Sequence, residues 1–280
     1  LPDGGFSPAD FIHAGHEDHP TRTALTRPRV ANALDTLCDR LETYAQVGGF
    51  PGAVADFITH GQVQEPTVLE MWDVVRGDLN RYHQIRDATL PLKVLERLAL
   101  NLASPISWQK LAGEASIDFK TVQTYVDLFS DAYLFLVVHR WDDGTPARKA
   151  DKKIYPIDPL ITRLAAAVNK RTRFDPDRPR LVESLLAVAL FRATESEPIA
   201  AFGVPQSLMY YRTRAGREID FLVGTDRNPY ESKYSASADR RDAQVMHQSF
   251  GRGVLVTQRT LDLHGPVLLI PAALLLAMLQ

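Results

Sequence analysis

The stretch REIDFLVGTDRNPYESKYS, residues 217–235, holds two short segments, EIDFLV and YESKYS, separated by turn-forming residues. Both segments alternate apolar and polar side chains, which is typical of β-strands, and GTDRNP favours a short connection between them. The pattern therefore predicts a β-hairpin. Strict alternation places Asp220 on the face opposite Ile219 in the first strand, and Glu231 and Lys233 on a shared face of the second strand.

If the two strands pair, one face of the hairpin presents Asp220, Glu231 and Lys233 together. Two carboxylates are suitable ligands for Mg²⁺ or Mn²⁺, and a nearby lysine can orient a water molecule and offset negative charge. Glu183, in the preceding apolar segment LVESLLAVAL, offers a further acidic group. We therefore predict Asp220, Glu231, Lys233 and Glu183 as catalytic residues, with Asp220 and Glu231 binding the metal. An exposed hairpin with a cross-strand lysine–carboxylate pair is the alternative.

The rest of the chain divides by its apolar periodicity. Residues 1–104 look helical, and residues 105–168 read as helix, turn, helix and hairpin, the outline of a winged helix. Ser107 and Asp118 are the predicted N-caps of its two helices. After a basic, proline-containing connector, residues 178–280 combine an apolar helix with several strands. We therefore predict an α/β protein, α+β overall, with three regions.

Charge gives weak support for DNA binding. The 280 residues carry a net charge of −2, so contact with nucleic acid requires a local basic patch. The second helix of the predicted winged helix offers one outward cation against two acidic residues, which favours packing or protein contacts for that helix. The predicted DNA-contacting residues are Lys120 on that helix and Arg148, Lys149, Lys152 and Lys153 on the wing.

Cysteine content and hydropathy bear on the compartment. Cys38 is the only cysteine, so no disulfide can form within the chain, and we expect a cytoplasmic location. The longest apolar run, residues 267–279, is too short for a membrane-spanning helix, and Pro271 divides it. We therefore expect no membrane association.

The order of the four candidate residues resembles the PD-(D/E)xK nuclease superfamily. Those proteins place a glutamate on the first helix, an aspartate on a strand and a (D/E)-x-K motif on the next strand, followed by a helix. Here the matching positions are Glu183, Asp220, Glu231 and Lys233, with the following helix near Gln244. The resemblance implies a nuclease-like fold over residues 178–280.

A wider resemblance covers most of the chain from about residue 45. It is similar to the C-terminal part of a group of prokaryotic AAA-type ATPases, which have a P-loop domain, a helical lid, a winged helix and a C-terminal domain of unknown function with a nuclease-like fold. The matching segments are GGFPGAV (48–54), VVRGDLNRYHQI (74–85), residues 98–138, KIYPIDPLI (153–161), LVESLLAVAL (181–190), YYRTRAGREIDFLV (210–223) and YESKYS (230–235). The resemblance implies that residues 1–104 are lid-like.

This chain departs from those ATPases in two respects. No G-x-x-x-x-G-K-[ST] motif occurs in its 280 residues, so ATP is not bound here by that mechanism. The middle residue of the E-x-K motif is Ser232, where the family usually has an apolar residue. The chain is therefore expected to be either the C-terminal portion of a longer protein or a protein that has lost its ATPase domain. The missing Met favours the first, with an ATPase domain in the same polypeptide or in a partner.

Three functions remain open from the sequence. The first is a divalent-metal-dependent nuclease acting on DNA, and the second is a non-catalytic module that binds DNA or a protein for an attached ATPase. The third is a structural or oligomerising portion. A fold alone does not decide among them.

Overall fold

A computed structural model describes residues 5–83, 89–142, 144–168, 177–194 and 207–279 of the protein. The fold is mixed α/β, as the sequence predicts, with helices dominating the first part of the described chain and strands the last part. The first part contains, in chain order, α1 (Pro8–His13), α2 (Pro20–Leu25), α3 (Pro28–Val47), α4 (Pro51–His60), α5 (Glu65–His83), α6 (Thr89–Leu100), α7 (Trp108–Ala115), α8 (Phe119–Asp131), β1 (Phe135–Asp142), β2 (Thr145–Pro146), β3 (Lys152–Pro156) and α9 (Ile161–Val168).

The second part begins with a long helix and continues with five strands. Its elements are α10 (Arg178–Arg192), β4 (Leu208–Arg212), β5 (Glu218–Val223), β6 (Asn228–Lys233), α11 (Gln244–Phe250), β7 (Gly253–Thr257), β8 (Val267–Pro271) and α12 (Ala272–Met278). The basic connector at residues 169–176 lies outside the described part of the chain.

The chain divides into two compact units. The first, which we term the sheet unit, comprises Leu1–Glu42, Val138–Ala150 and Leu185–Gln280. The second, the helical unit, comprises Thr43–Val137 and Asp151–Ser184. This division differs from the boundaries expected from the sequence, since residues 1–42 group with the C-terminal strands.

In the sheet unit, the strand order is β2-β1-β4-β5-β6-β7-β8. β4, β5 and β6 form an antiparallel meander, whereas β6, β7 and β8 are parallel. A parallel neighbour requires a crossover connection, and the segment containing α11 supplies it between β6 and β7. β1 lies parallel to β4 on the other side of the meander.

β7 and β8 are the last two strands of this sheet, and both are buried. Every residue of Gly253–Thr257 and of Val267–Pro271 is buried, which explains why both segments are almost continuously apolar in the sequence. A cluster that includes Ile219, Met246 and Leu255 packs α11 against the sheet.

The N-terminal segment packs within the same unit. Phe6 forms a parallel bridge with Leu279, and the hydroxyl of Tyr230 donates a hydrogen bond to the carbonyl of Pro8. Burial raises the pKa of the Tyr230 phenol well above its ordinary value, with a smaller contribution from Asp10. These contacts join residues more than 200 positions apart, which explains why periodicity did not reveal them.

The helical unit contains the predicted helix–turn–helix. Ser107 caps α7 by accepting a hydrogen bond from the Lys110 N–H, and Asp118 caps α8 by accepting from Lys120 and Thr121. Both caps agree with the sequence prediction. β3 pairs with β1, whose first residues, 135–137, belong to this unit.

Within the described residues, no helix combines the length and the apolar character that crossing a membrane requires.

Candidate functional site

The candidate site lies on the hairpin formed by β5 and β6 in the sheet unit. The two strands pair through Phe221 with Tyr230, Leu222 with Pro229, and Val223 with Asn228. The connection between them is therefore four residues long, 224–227, rather than the six expected from GTDRNP. Gly224 has a φ of 71°, a conformation that favours glycine and suits a tight turn.

The pairing of β5 with β4 contains an irregularity at Asp220. Met209 pairs with Leu222 and Tyr211 pairs with Ile219, so Asp220 and Phe221 together lie opposite Tyr210. A bulge of this kind interrupts the alternation of side chains and changes the direction of the residue that it contains. The strict alternation predicted for β5 is therefore wrong at this position.

The carboxylate of Asp220 lies against the E-x-K strand. The regular ladder between β5 and β6 ends at Phe221 and Tyr230. Beyond it, Oδ2 of Asp220 accepts a hydrogen bond of 2.9 Å from the backbone N–H of Ser232, the residue between Glu231 and Lys233. Asp220 is 9% exposed, so this bond lies in a partly desolvated environment where it is strengthened.

Glu231 and Lys233 are placed by the regular pairing of β6 with β7. Glu231 lies beside Leu255 and Lys233 beside Thr257 in the parallel ladder, so the two side chains share a face as predicted. Glu231 is half-buried and its Oε2 atom is fully buried. Lys233 is 48% exposed, and its Nζ lies 3.6 Å from Oδ1 of Asp242.

Asp242 is a contact of the site that the sequence reasoning missed. It lies nine residues after Lys233, shortly before α11. The signal available in the sequence was an acidic residue shortly before the helix that follows the E-x-K strand. Since the lysine–carboxylate distance is long and both groups are partly exposed, the pair contributes little to stability.

The donor set fits a divalent cation only in part. Asp220 and Glu231 provide carboxylate oxygens, which Mg²⁺ and Mn²⁺ prefer, and Mg²⁺ commonly takes only one or two carboxylates from the protein. Among the described residues, no group of three or more histidine, cysteine, aspartate or glutamate side chains is arranged to hold a metal ion. A bound ion would therefore depend on these two carboxylates together with water or substrate oxygens.

Glu183, the fourth candidate residue, belongs to the helical unit. Its Oε1 accepts hydrogen bonds from Nζ of Lys153 at 3.0 Å and from the hydroxyl of Tyr155 at 2.8 Å. Lys153 is 2% exposed and Glu183 is 13% exposed, so they form a buried ion pair. Within this unit the contacts of Glu183 are those of a structural residue.

The predicted DNA-contacting residues separate into two groups. Lys120 on α8 is exposed, as are Arg148 and Lys149 in the loop that follows β2. Lys152 and Lys153 are buried, and Nζ of Lys152 lies 5.1 Å from the centre of the Trp108 ring. Burial lowers the pKa of the Lys152 amine.

The prediction that Lys152 and Lys153 lie on an exposed basic wing is corrected by this burial. Both belong to β3, all five residues of which are buried. Two consecutive lysines at the start of an alternating segment are typical of a solvent-exposed strand edge. In the structure, the Lys152 amine instead lies over the Trp108 ring, and the Lys153 amine pairs with the Glu183 carboxylate.

Ser232 supplies a stability prediction at the site. Its hydroxyl oxygen is buried and has no hydrogen-bond partner among the described residues. Ser232→Ala keeps the backbone N–H that Asp220 accepts and removes the buried hydroxyl. We expect the free energy of unfolding to rise by about 1 kcal/mol, measured by urea denaturation.

Ser237→Ala, at an exposed position in the loop after β6, is the control and is expected to change stability by less than about 0.5 kcal/mol. A fall in stability for Ser232→Ala would show that the hydroxyl has a partner that stabilises the fold.

Comparison with known proteins adds one match. Residues 38–172 match the family model of a domain of unknown function, DUF8612. No curated protein and no solved structure matches the chain significantly. The matched region covers α7, α8 and the first three strands, and it does not include Asp220, Glu231 or Lys233.

Proposed function

We propose that the sheet unit carries a divalent-metal-dependent site that cleaves phosphodiester bonds in DNA, with Asp220 and Glu231 as metal ligands and Lys233 beside them. The observation that supports it is the hydrogen bond from the Ser232 N–H to Asp220. This bond fixes the buried carboxylate of one strand against the middle of the Glu231–Ser232–Lys233 segment of the next. The order of strands and helix around it also agrees with the resemblance to PD-(D/E)xK nucleases.

Each residue has a definite part in this chemistry. Asp220 and Glu231 would provide oxygen ligands from side chains that are largely or partly buried. A bound Mg²⁺ would supply Lewis-acid stabilisation of phosphate charge. Lys233 would neutralise charge on the phosphate and orient the attacking water, for which its ammonium must turn from Asp242, 3.6 Å away.

The second candidate function is a non-catalytic module that binds DNA or a protein. The observation that favours it is the ion pair of Lys233 with Asp242, together with the lack of a third acidic ligand in the described residues. In this case the Asp220 carboxylate joins β5 to β6 through its hydrogen bond with the Ser232 N–H, and replacing Asp220 changes the stability of the fold rather than a catalytic rate.

Isosteric variants test the proposed function. Asp220→Asn retains an oxygen that can accept the Ser232 N–H, and Glu231→Gln retains the size of the side chain. We expect each variant to lower Mg²⁺- or Mn²⁺-dependent cleavage of DNA by at least about 100-fold, because the amide loses the charge that binds the metal. Cleavage is measured by gel electrophoresis of labelled DNA.

Asp226→Asn is the matched control, because Asp226 is exposed in the turn at the other end of the same hairpin. We expect it to cleave like the unmodified protein. Equal cleavage by Asp220→Asn and Asp226→Asn would contradict the proposed site. A protein that binds DNA but cleaves it with neither metal would establish the non-catalytic alternative.

We also propose that the chain is the C-terminal region of a cytoplasmic AAA-type ATPase, on the support of the sequence resemblance. The test is the reading frame that precedes residue 1. A G-x-x-x-x-G-K-[ST] motif after a strand is expected there, and a frame without one would reject the connection.

A further inference from the structure

Two hairpin tips lie at one end of the sheet unit. β5 is antiparallel to both β4 and β6, and β1 is parallel to β4. β1, β4 and β6 therefore end where β5 begins. The β4–β5 tip, residues 213–217, lies at this end, together with the paired ends of β1 and β2 at Asp142 and Thr145 and with Lys233, the last residue of β6.

This end of the sheet is locally basic although the chain is weakly acidic overall. Described residues 140–142, 144–146 and 212–218 contain four cationic and two acidic side chains, on a protein whose net charge is −2. The cations are Arg140, Arg212, Arg214 and Arg217, and the acidic residues are Asp142 and Glu218.

The arginines of the β4–β5 tip have no carboxylate partner in the described part of the chain, unlike three other exposed arginines of the sheet unit. Three of the others form ion pairs with a carboxylate: Arg240 with Asp262, Arg241 with Asp239 and Arg259 with Asp35. Arg212, Arg214 and Arg217 are exposed, and the described part of the chain provides none of them with an ion pair within 4.0 Å. Their charge is therefore available to an external anion.

The tip presents these arginines on an ordered backbone. The N–H of Thr213 donates to the carbonyl of Arg217, and the N–H of Arg217 donates to the Thr213 hydroxyl. Gly216 closes the turn with a φ of 82°, and Nε of Arg212 donates to the Gly216 carbonyl at 3.3 Å. Because the tip is already ordered, less conformational entropy is lost when Arg214 and Arg217 bind a ligand.

The β4–β5 tip is separated from the candidate site by a short distance along β5. Arg217 precedes Asp220 by three residues of extended chain, which corresponds to about 10 Å. Phosphates on one strand of a duplex repeat about every 3.4 Å along the axis. A strand with one phosphate at Asp220 would therefore bring a phosphate about three nucleotides away to the tip.

We propose that Arg212, Arg214 and Arg217 bind the phosphate backbone of a DNA duplex at this end of the sheet. The inference rests on the proposed function only for the position of the phosphate at Asp220. Arginine suits this role because its planar guanidinium binds phosphate oxygens with two parallel hydrogen bonds. Because contacts to phosphate carry no sequence information, we expect binding through these arginines to be independent of sequence.

Fluorescence anisotropy of a short labelled DNA duplex, in the presence of EDTA, tests the proposal. We expect the triple variant R212Q/R214Q/R217Q to bind about tenfold more weakly than the unmodified protein. The slope of log K against log salt concentration should decrease by about 2.7, because three phosphate contacts are lost. R214Q alone should show a smaller loss of DNA affinity and a smaller decrease of the salt slope than the triple variant.

The control is R27Q/R29Q/R252Q, which removes the same charge from exposed arginines of the same unit. Equal binding by the two triple variants would overturn the proposal. Displacement of the duplex by poly-glutamate as effectively as by unlabelled DNA would also overturn it, because it would indicate an acidic protein segment as the ligand.

Asp220→Asn separates this proposal from the proposed function. In EDTA the variant should bind the duplex at least as tightly as the unmodified protein, because it removes a negative charge that faces the phosphate, even though its cleavage is lost. If Asp220→Asn cleaves normally while the arginine variant fails to bind, the cleavage proposal fails and the binding surface stands. If Asp220→Asn stops cleavage while the arginine variant binds normally, the binding surface fails and the cleavage proposal stands.

Discussion

Gly48→Ala is expected to lower the free energy of unfolding by about 3 kcal/mol, because both the backbone conformation and the space around Gly48 exclude a side chain. Gly48 follows α3 with a φ of 77°. A Cβ atom at this position would lie 2.1 Å from Oδ1 of Asp158, in the same helical unit.

Asp158 cannot move away without losing its own hydrogen bonds. Its Oδ2 accepts the N–H of Gly49 at 2.7 Å, and its Oδ1 accepts the N–H of Leu160 at 2.8 Å. The carboxylate is 7% exposed, so each lost bond would leave a buried polar group unsatisfied. The GGFPG loop and the KIYPID segment are thus joined by one side chain, although Gly49 and Asp158 are 109 positions apart.

Two other glycines provide controls for urea denaturation followed by circular dichroism. Gly61 has a φ of 74°, and none of the described atoms lies within 4 Å of the point that an added Cβ would occupy, so Gly61→Ala measures the backbone strain alone, about 1 kcal/mol. Gly113 lies inside α7 with open space around it, so Gly113→Ala should stabilise by about 0.5–1 kcal/mol. A Gly48→Ala cost no larger than that of Gly61→Ala would show that Asp158 does not restrict the loop.

Local signals in the sequence predicted much of the fold. Ser107 and Asp118 were predicted as helix caps, and the structure confirms both. Capping depends on residues three or four positions apart, and such patterns are visible in a linear sequence. The mixed α/β class followed in the same way from periodicity.

Long-range contacts were not predictable in this way. Nothing in the sequence indicated that Asp158 would bond to the GGFPG loop. Likewise, nothing in the sequence indicated that the Pro8 carbonyl would accept a hydrogen bond from Tyr230. Such contacts depend on tertiary packing.

At the candidate site, the sequence predicted which residues share a strand but not how neighbouring strands meet. The face shared by Glu231 and Lys233 is confirmed, because β6 pairs regularly with β7. The bulge at Asp220 depends on β4, so alternation within β5 alone could not reveal it. Burial of Lys152 and Lys153 depends in the same way on the Trp108 ring and on Glu183.

Glu183→Ala is expected to lower the free energy of unfolding by about 3–5 kcal/mol, because it takes a carboxylate away from a buried ammonium group. Nζ of Lys153 lies 3.0 Å from Oε1 of Glu183, and the lysine is 2% exposed. The same substitution removes the acceptor of the Tyr155 hydroxyl, which is also buried. Urea denaturation measures the loss, and Glu218→Ala, at a partly exposed glutamate of β5, serves as a comparison expected to cost less.

A double variant then distinguishes a structural role of Glu183 from the catalytic role that the sequence predicts. Replacing both members of a buried pair by apolar residues often restores much of the stability that a single replacement removes, so K153M/E183L should be more stable than Glu183→Ala. If Glu183 is structural, the folded double variant should retain metal-dependent cleavage, whereas Asp220→Asn should not. Loss of cleavage in a double variant with restored stability would instead assign Glu183 to the metal site, as the resemblance to PD-(D/E)xK nucleases implies.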